Sequence, residues 1–306
     1  MHSNGPAACG KPHTVALPVI LKAESMTEFR YHIPHPEHHR DQLRIPECHT
    51  LHACPPACAR HSALRALRNG EGSDYSFCFL SLLDMALGGQ EEHIAATVDE
   101  LLERLDPTPR AFLVKLYCID ELVGTDAHAI AALLSKRHPD IVFSVVRSSP
   151  LVKRGTHDDR MQAGVYDLLE KTGERDWGVN LIGRFNPIPA SSEFMTTLGE
   201  WGISTVRSVA SCKTFEEYRR IADSALNLSV SWMGQATVLE LQRKLDIPSL
   251  FFKPAYAVDE VDGNYRRLYE TLRDIEARTR MADAPRCPWA LEPPSRTSAC
   301  HAARVR

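Results

Sequence analysis

From residue 75 onward, short apolar runs alternate with longer segments in which apolar residues recur every three or four positions. Residues 76–81 form a short apolar strand. Residues 91–105 place Ile94, Val98, Leu101, Leu102 and Leu105 on one helical face until Pro107 and Pro109 break the pattern. Residues 110–117 read as a buried strand ending at Cys118, 127–137 as a helix capped by Asp126, and 140–146 as another strand. A helix over 158–171 closes this unit, and 173–176 reads as a linker. The theme then repeats. Strands are expected at 179–183, 203–209, 226–232 and 248–252, and helices at 191–201, at 215–225 behind a Thr214 cap, at 235–245 and at 262–281. Strands alternating with helices through short turns mean βαβ units on a parallel sheet. The pattern therefore predicts an α/β protein of two Rossmann-like parallel-sheet domains, 46–174 and 175–281. An irregular arm, 1–45, precedes them and a disordered tail, 282–306, follows.

Composition narrows the class. The 306 residues are 43% hydrophobic and 25% charged, as expected of a globular protein. A net charge of −3 argues against a nucleic-acid-binding body. No apolar run approaches the length of about 18 residues that a membrane-spanning helix needs. The apolar stretch 15–21 is interrupted by Pro18 and lacks the flanks of a signal peptide, so the expected location is cytoplasmic. Residues 1–25 show no period, and Met26 opens a more regular segment that is a candidate start. His32, His35, His38 and His39 sit among prolines without acidic or thiol partners at element spacing, and read as a solvated arm. Nine cysteines in such a chain point to reduced thiols, some of them metal ligands, rather than to disulfides.

The densest chemistry lies in residues 48–61, which hold Cys48, Cys54, Cys58, His49, His52 and His61. The Pro55–Pro56 pair cannot sit inside a helix or a central strand, so Cys54 and Cys58 belong on or beside a loop. After Cys58 the spacing turns helical until Asn69–Gly70, which leaves Cys58 at a helix mouth, where the dipole favours thiolate. A local zinc site from Cys48, Cys54, Cys58 and a histidine is chemically possible, yet it leaves Cys118 unused. Cys118 follows directly on a strand, and ligands of parallel sheets bind beyond the carboxyl ends of strands. Cys78 reads as core, and Cys9, Cys287 and Cys300 fall in irregular ends. Cys212 follows a strand and is also most simply read as inert. There is no Cys-x-x-Cys, no phosphate-binding Gly-x-x-x-x-Gly-Lys-Ser/Thr and no Gly-x-Gly-x-x-Gly after a strand. The chain neither hydrolyses nucleotides by a P-loop nor looks like a dinucleotide dehydrogenase.

Four stretches, in order, resemble component 1 of the nitrogenase superfamily. His52 followed by Cys58–Ala59 is similar to that family's His-Gly-Pro-x-x-Cys cluster loop. Asp84 to Gly88–Gly89 before a helix is similar to its Asp…Phe-Gly-Gly turn. Cys118 to Gly124–Thr125–Asp126 is similar to its Cys-x-x-x-Leu-Ile-Gly-Asp-Asp segment, and Val179 to Gly183 to its Val-Asn-Ile-Ile-Gly strand. Asn227–Leu228 and Leu245 to Pro248 keep the order, which spans residues 48 to about 280.

The resemblance implies a fold of the nitrogenase component 1 type, shortened by its third domain. It implies an interfacial iron–sulfur cluster of the [4Fe–4S] type, with Cys58 and Cys118 as ligands. The first ligand is Cys48, which lies upstream of the histidine as the family's first cysteine does, or Cys54. Three cysteines per chain cannot complete a four-cysteine cluster, which implies a homo- or heterodimer with another component 1 subunit. The missing P-loop implies a separate ATP-hydrolysing iron protein as electron donor. Where nitrogenase carries the cysteine of its catalytic cluster, this chain has Val230–Ser231–Trp232, so dinitrogen reduction by an iron–molybdenum centre is not expected. The expected function is an oxidoreductase subunit that relays electrons through the cluster to an unnamed substrate. The competing function is a non-catalytic scaffold for metallocofactor assembly. Asp120 and Glu121 fall beside the cluster, Arg60, His61, His49 and His52 are candidates to tune it, and Met233 to Gln235 marks a possible substrate approach.

Overall fold

The structure, a computed structural model, describes residues 44–68, 70, 72–147, 164–280 and 287–291. The histidine-rich arm, residues 158–163 of the helix expected at 158–171, and most of the tail lie outside these residues. Of that helix, 164–166 is helical, and a turn follows at once.

Two four-stranded, all-parallel sheets carry the fold. The first has the order β2-β1-β3-β4, built from β1 (Cys48–Cys54), β2 (Tyr75–Phe79), β3 (Ala111–Leu116) and β4 (Val142–Arg147). The second has the order β6-β5-β7-β8, built from β5 (Val179–Ile182), β6 (Val206–Arg207), β7 (Leu226–Ser229) and β8 (Ser249–Phe251). The helices between them are α1 (Pro56–Arg68), α2 (Leu82–Leu87), α3 (Gln90–Leu102), α4 (Cys118–Val123), α5 (Ala127–Arg137), α6 (Glu193–Glu200), α7 (Phe215–Arg219), α8 (Gln235–Leu245) and α9 (Val258–Arg280). Capping chemistry sets their starts. The Asp126 carboxylate accepts from His128 and Ala129 N–H, and the Thr214 hydroxyl accepts from Glu217 N–H. The reciprocal Ser81–Asp84 box opens α2, and Gly88 and Gly89, at φ 78° and 87°, turn the chain into α3.

The chief surprise is β1. Cys-His-Thr-Leu-His-Ala-Cys is not a loop but the most buried strand of the first sheet, paired on both sides. Its alternation puts His49, Leu51 and Ala53 on the face that packs with Phe112, Val114, Ile94, Val98, Ile130 and Leu134 beneath α3 and α5. Cys48, Thr50, His52 and Cys54 lie on the other face. The histidines survive burial because each finds a hydroxyl: His49 Nε2 pairs with Ser76 Oγ at 2.8 Å and His52 Nδ1 with Tyr117 Oη at 2.6 Å.

The two sheets share core. Ile45, Ala111, Val165, Tyr166, Leu168 and Leu169 pack into one cluster with Ile182, Val209, Phe215, Tyr218, Val238, Leu241 and Leu245. The segment read as a linker, 173–176, is pinned: Arg175 donates to Ala222 O and Leu245 O, and Asp176 pairs with Arg207. Residues 287–291, assigned above to a disordered tail, dock on the second domain. Trp289 is 7% exposed, meets Trp177 edge-on and donates Nε1–H to its carbonyl at 3.0 Å. An indole can hold a short segment down in this way by burying its ring while its N–H keeps a partner. The expected seven-residue strand at 203–209 shrinks to the two residues of β6 at a sheet edge.

Candidate metal centre

In each sheet the strand order reverses between the two central strands, and the crevice outside their carboxyl ends is the usual place for a ligand. In the second sheet that crevice is filled by backbone. Gly183 follows β5 at φ +91°, and a Cβ there would meet Gly234 Cα at 2.7 Å. The Ser231 hydroxyl donates to Gly183 O across the same gap. In the first sheet the crevice lies between the ends of β1 and β3, and it holds cysteines.

Cys54 ends β1 and is fully buried. The chain then turns through Pro55, whose carbonyl accepts from Cys58 N–H at 2.9 Å. Pro56 takes the first position of α1, where its fixed φ suits a helix start and its missing N–H costs nothing. Cys58 sits in that first turn and is exposed. No acidic side chain stands in this turn, so the partial positive charge of the helix start is unopposed. Cys118 is the first residue of α4, two positions after β3, and is half-buried. Thiols from β1, α1 and α4 thus stand at the carboxyl ends of the two central strands.

The thiols feel one another electrostatically. Burial pushes the Cys54 thiol up to about 12, and the neighbouring Cys58, Asp120 and Cys78 add to it. Burial also raises Cys58, and Cys118 raises it further. The Cys54 and Cys58 thiols thus resist ionisation, so a cationic group binding beside them displaces protons. Burial, then the nearby Lys115 charge, holds His52 down to about 3, so its imidazole is neutral.

Cys48 is not part of this group. It begins the strand that Cys54 ends, so six residue steps of about 3.3 Å separate them. It packs instead against the core shared by the two sheets, where desolvation lifts its thiol to about 12. The local zinc site of Cys48, Cys54 and Cys58 is therefore not assembled. Among the described residues, no three His, Cys, Asp or Glu side chains converge tightly enough to hold a single metal ion. Thiols presented from separate elements are the donor type that iron–sulfur clusters use.

Asp120 fixes the third element. At 2% exposure it accepts from Tyr117 N–H at 2.9 Å and from Thr125 Oγ1–H at 3.0 Å, while Gly124 at φ +78° closes α4. Tyr117 and Thr125 flank and sit inside the Cys118–Asp126 segment, but a hydroxyl beside a cysteine carries no pattern that marks this clamping role. Cys212 bonds to Ser208 O at 3.2 Å and belongs to the shared core, and Cys78 accepts from Thr97 within the first core.

An α/β protein with two parallel sheets and a thiol-lined switch point is the class that fold and site define together. The family model for nitrogenase component 1 type oxidoreductases matches residues 42–287, and the chain belongs to that family. Among solved structures, "Nitrogenase Cp1 at pH 6.5" superposes with a TM-score of 0.58 at 17% identity, covering 74% of this chain and 54% of that one. "Nitrogenase Cp1 at pH 5" gives 0.54 at 18% identity, covering 78% and 52%. The chain thus spans about half the length of these structures, whose likeness shows the fold. A search of curated proteins finds no match. Among the described residues, no helix is long and apolar enough to cross a membrane.

Proposed function

We propose that the chain is an electron-relaying component 1 subunit whose iron–sulfur cluster, of the [4Fe–4S] type, is held by Cys54, Cys58 and Cys118. What supports this reading is the placement of the three thiols at the carboxyl ends of β1 and β3, with Cys58 electrostatically coupled to both Cys54 and Cys118. Cys48, the alternative first ligand, is a strand's length away. When bound, the cluster supplies a one-electron redox couple. The chain's own residues position it: Pro56 sets the start of α1, Asp120 clamps α4, and the neutral His52 and Tyr117 line the strand side.

Three cysteines call for a fourth ligand from outside, and the surrounding surface suits a partner. Leu64 and Leu67 on α1, Phe79 at the end of β2, Leu83 and Leu87 on α2 and Leu122 on α4 are all exposed, Leu87 by 78% and Leu122 by 71%. These elements leave the carboxyl edge that holds the thiols, and an apolar rim of this kind marks a protein interface. A second component 1 subunit, identical or homologous, fits that role, with the cluster between the two. Electrons would come from a separate ATP-hydrolysing iron protein, since the chain lacks a P-loop. With Val230–Ser231–Trp232 where a cluster cysteine is needed, the substrate is not dinitrogen at an iron–molybdenum centre.

The test is anaerobic reconstitution with iron and sulfide, followed by reduction with an iron protein and ATP while the cluster is read by EPR. ATP-dependent appearance of a reduced-cluster signal supports the relay. A loaded cluster that no iron protein reduces, but that transfers to an apo-acceptor, assigns the chain to cofactor assembly instead.

A further inference from the structure

His52 and Tyr117 join the two strands that carry the candidate ligands, and neither is itself a ligand. His52 lies two residues before Cys54 on β1, on the same face of the strand. Tyr117 immediately precedes Cys118. The 2.6 Å bond between His52 Nδ1 and Tyr117 Oη is therefore a cross-link between the Cys54 strand and the Cys118 helix. Its two ends are held independently. His52 is 1% exposed and stacks on Phe77 at 5.1 Å between ring centroids, and Tyr117 N–H is held by the buried Asp120.

The other imidazole nitrogen makes the arrangement unlike ordinary packing. His52 Nε2 is buried with no hydrogen-bond partner. An orphaned polar atom in a central strand costs stability, and an apolar side chain there would avoid the cost. A polar residue held at a loss, with its one bond spent on the residue beside Cys118, is accounted for by what that bond positions.

We propose that His52 is a positioning residue which, through the Tyr117 hydroxyl, fixes Cys118 relative to Cys54. The proposal rests on the reading of Cys54, Cys58 and Cys118 as cluster ligands, and its test separates the two. Tyr117→Phe removes only the hydroxyl. His52→Leu removes the bond and the orphan together. His52→Gln retains a side chain able to bond the hydroxyl. In the metal-free full-length chain, iodoacetamide labelling of Cys118 and Cys58 is followed by peptide mass spectrometry, with thermal melts run in parallel. Cys118 should label several-fold faster in Tyr117→Phe and His52→Leu, with Cys58 unchanged, melting preserved and His52→Gln close to wild type. In iron-loaded protein, the first two variants should release iron to a chelator about tenfold more readily and show altered EPR g-values. Unchanged Cys118 labelling in both Tyr117→Phe and His52→Leu overturns the proposal, as does His52→Gln labelling as fast as His52→Leu. If wild type takes up no iron while Cys118 labelling still responds, the positioning stands and the cluster reading falls.

Discussion

Asp120 gives the sharpest test of how the third thiol is placed. Its carboxylate accepts two hydrogen bonds, from Tyr117 N–H and Thr125 Oγ1–H, at 2.9 and 3.0 Å. Bonds to a charged acceptor contribute about 1.5–3 kcal/mol each, but desolvating a carboxylate at 2% exposure offsets part of that. Asp120→Ala strips both bonds and leaves Tyr117 N–H unpaired, for a net loss of about 2–3 kcal/mol. Asp120→Asn differs: its carbonyl can accept from Tyr117 N–H and its amide can donate to the Thr125 hydroxyl, at no cost of burying charge. It should stay within about 1 kcal/mol of wild type. Urea denaturation at neutral pH, followed by far-UV circular dichroism, reads both variants, and an unchanged m-value keeps the comparison valid. The reasoning fails if Asp120→Ala moves stability by less than about 0.5 kcal/mol, or if Asp120→Asn is as damaging as Asp120→Ala.

Three further outcomes are expected. Asn180, fully buried, donates to Ile221 O and Asn227 Oδ1 and accepts from Ser224 Oγ at 2.7–2.8 Å, so Asn180→Ala should cost about 3–5 kcal/mol by the same urea assay. Gly183→Ala forces a Cβ to 2.7 Å from Gly234 at φ +91°, and should lower the melting midpoint by more than Gly199→Ala, where a Cβ meets nothing within 4 Å. The backbone N–H groups of Ala129 and His128 hold the Asp126 carboxyl below the usual carboxylate range. Its folded-state pKa is the lower one, so its contribution is complete above the ordinary value and disappears as pH falls through the lowered one. Asp126→Ala should therefore destabilise near neutral pH and make no difference in strong acid, measured by denaturation across pH.

What could be read from the chain alone follows where local physics decides. Asp126 and Thr214 cap the helices expected of them, and α5 and α8 span residues 127–137 and 235–245 as the spacing predicts. The alternation of apolar strand and amphipathic helix was enough for the α/β class. β1 was illegible because its polar residues are satisfied only by tertiary partners. Ser76 lies on β2 and Tyr117 just past β3, and without them Cys-His-Thr-Leu-His-Ala-Cys looks like a ligand loop. Once it is a strand, Cys48 and Cys54 move to opposite ends, and the choice of first ligand turns on geometry that spacing cannot supply. Trp289 is a similar case: a lone indole among prolines shows no period, and its pocket beside Trp177 and Gly202 exists only in the folded domain. The positions of Cys58 and Cys118 could be anticipated because Pro55–Pro56 and the end of β3 mark where the next helix starts.

The central claim is that Cys54, Cys58 and Cys118, and not Cys48, hold an iron–sulfur cluster. It is tested most directly by measuring iron and acid-labile sulfide in anaerobically reconstituted wild type and in the four single Cys→Ala variants. The account predicts cluster binding in wild type and in Cys48→Ala, with loss in Cys54→Ala, Cys58→Ala and Cys118→Ala. A wild type that binds no iron, or a Cys48→Ala variant as empty as Cys118→Ala, would contradict it.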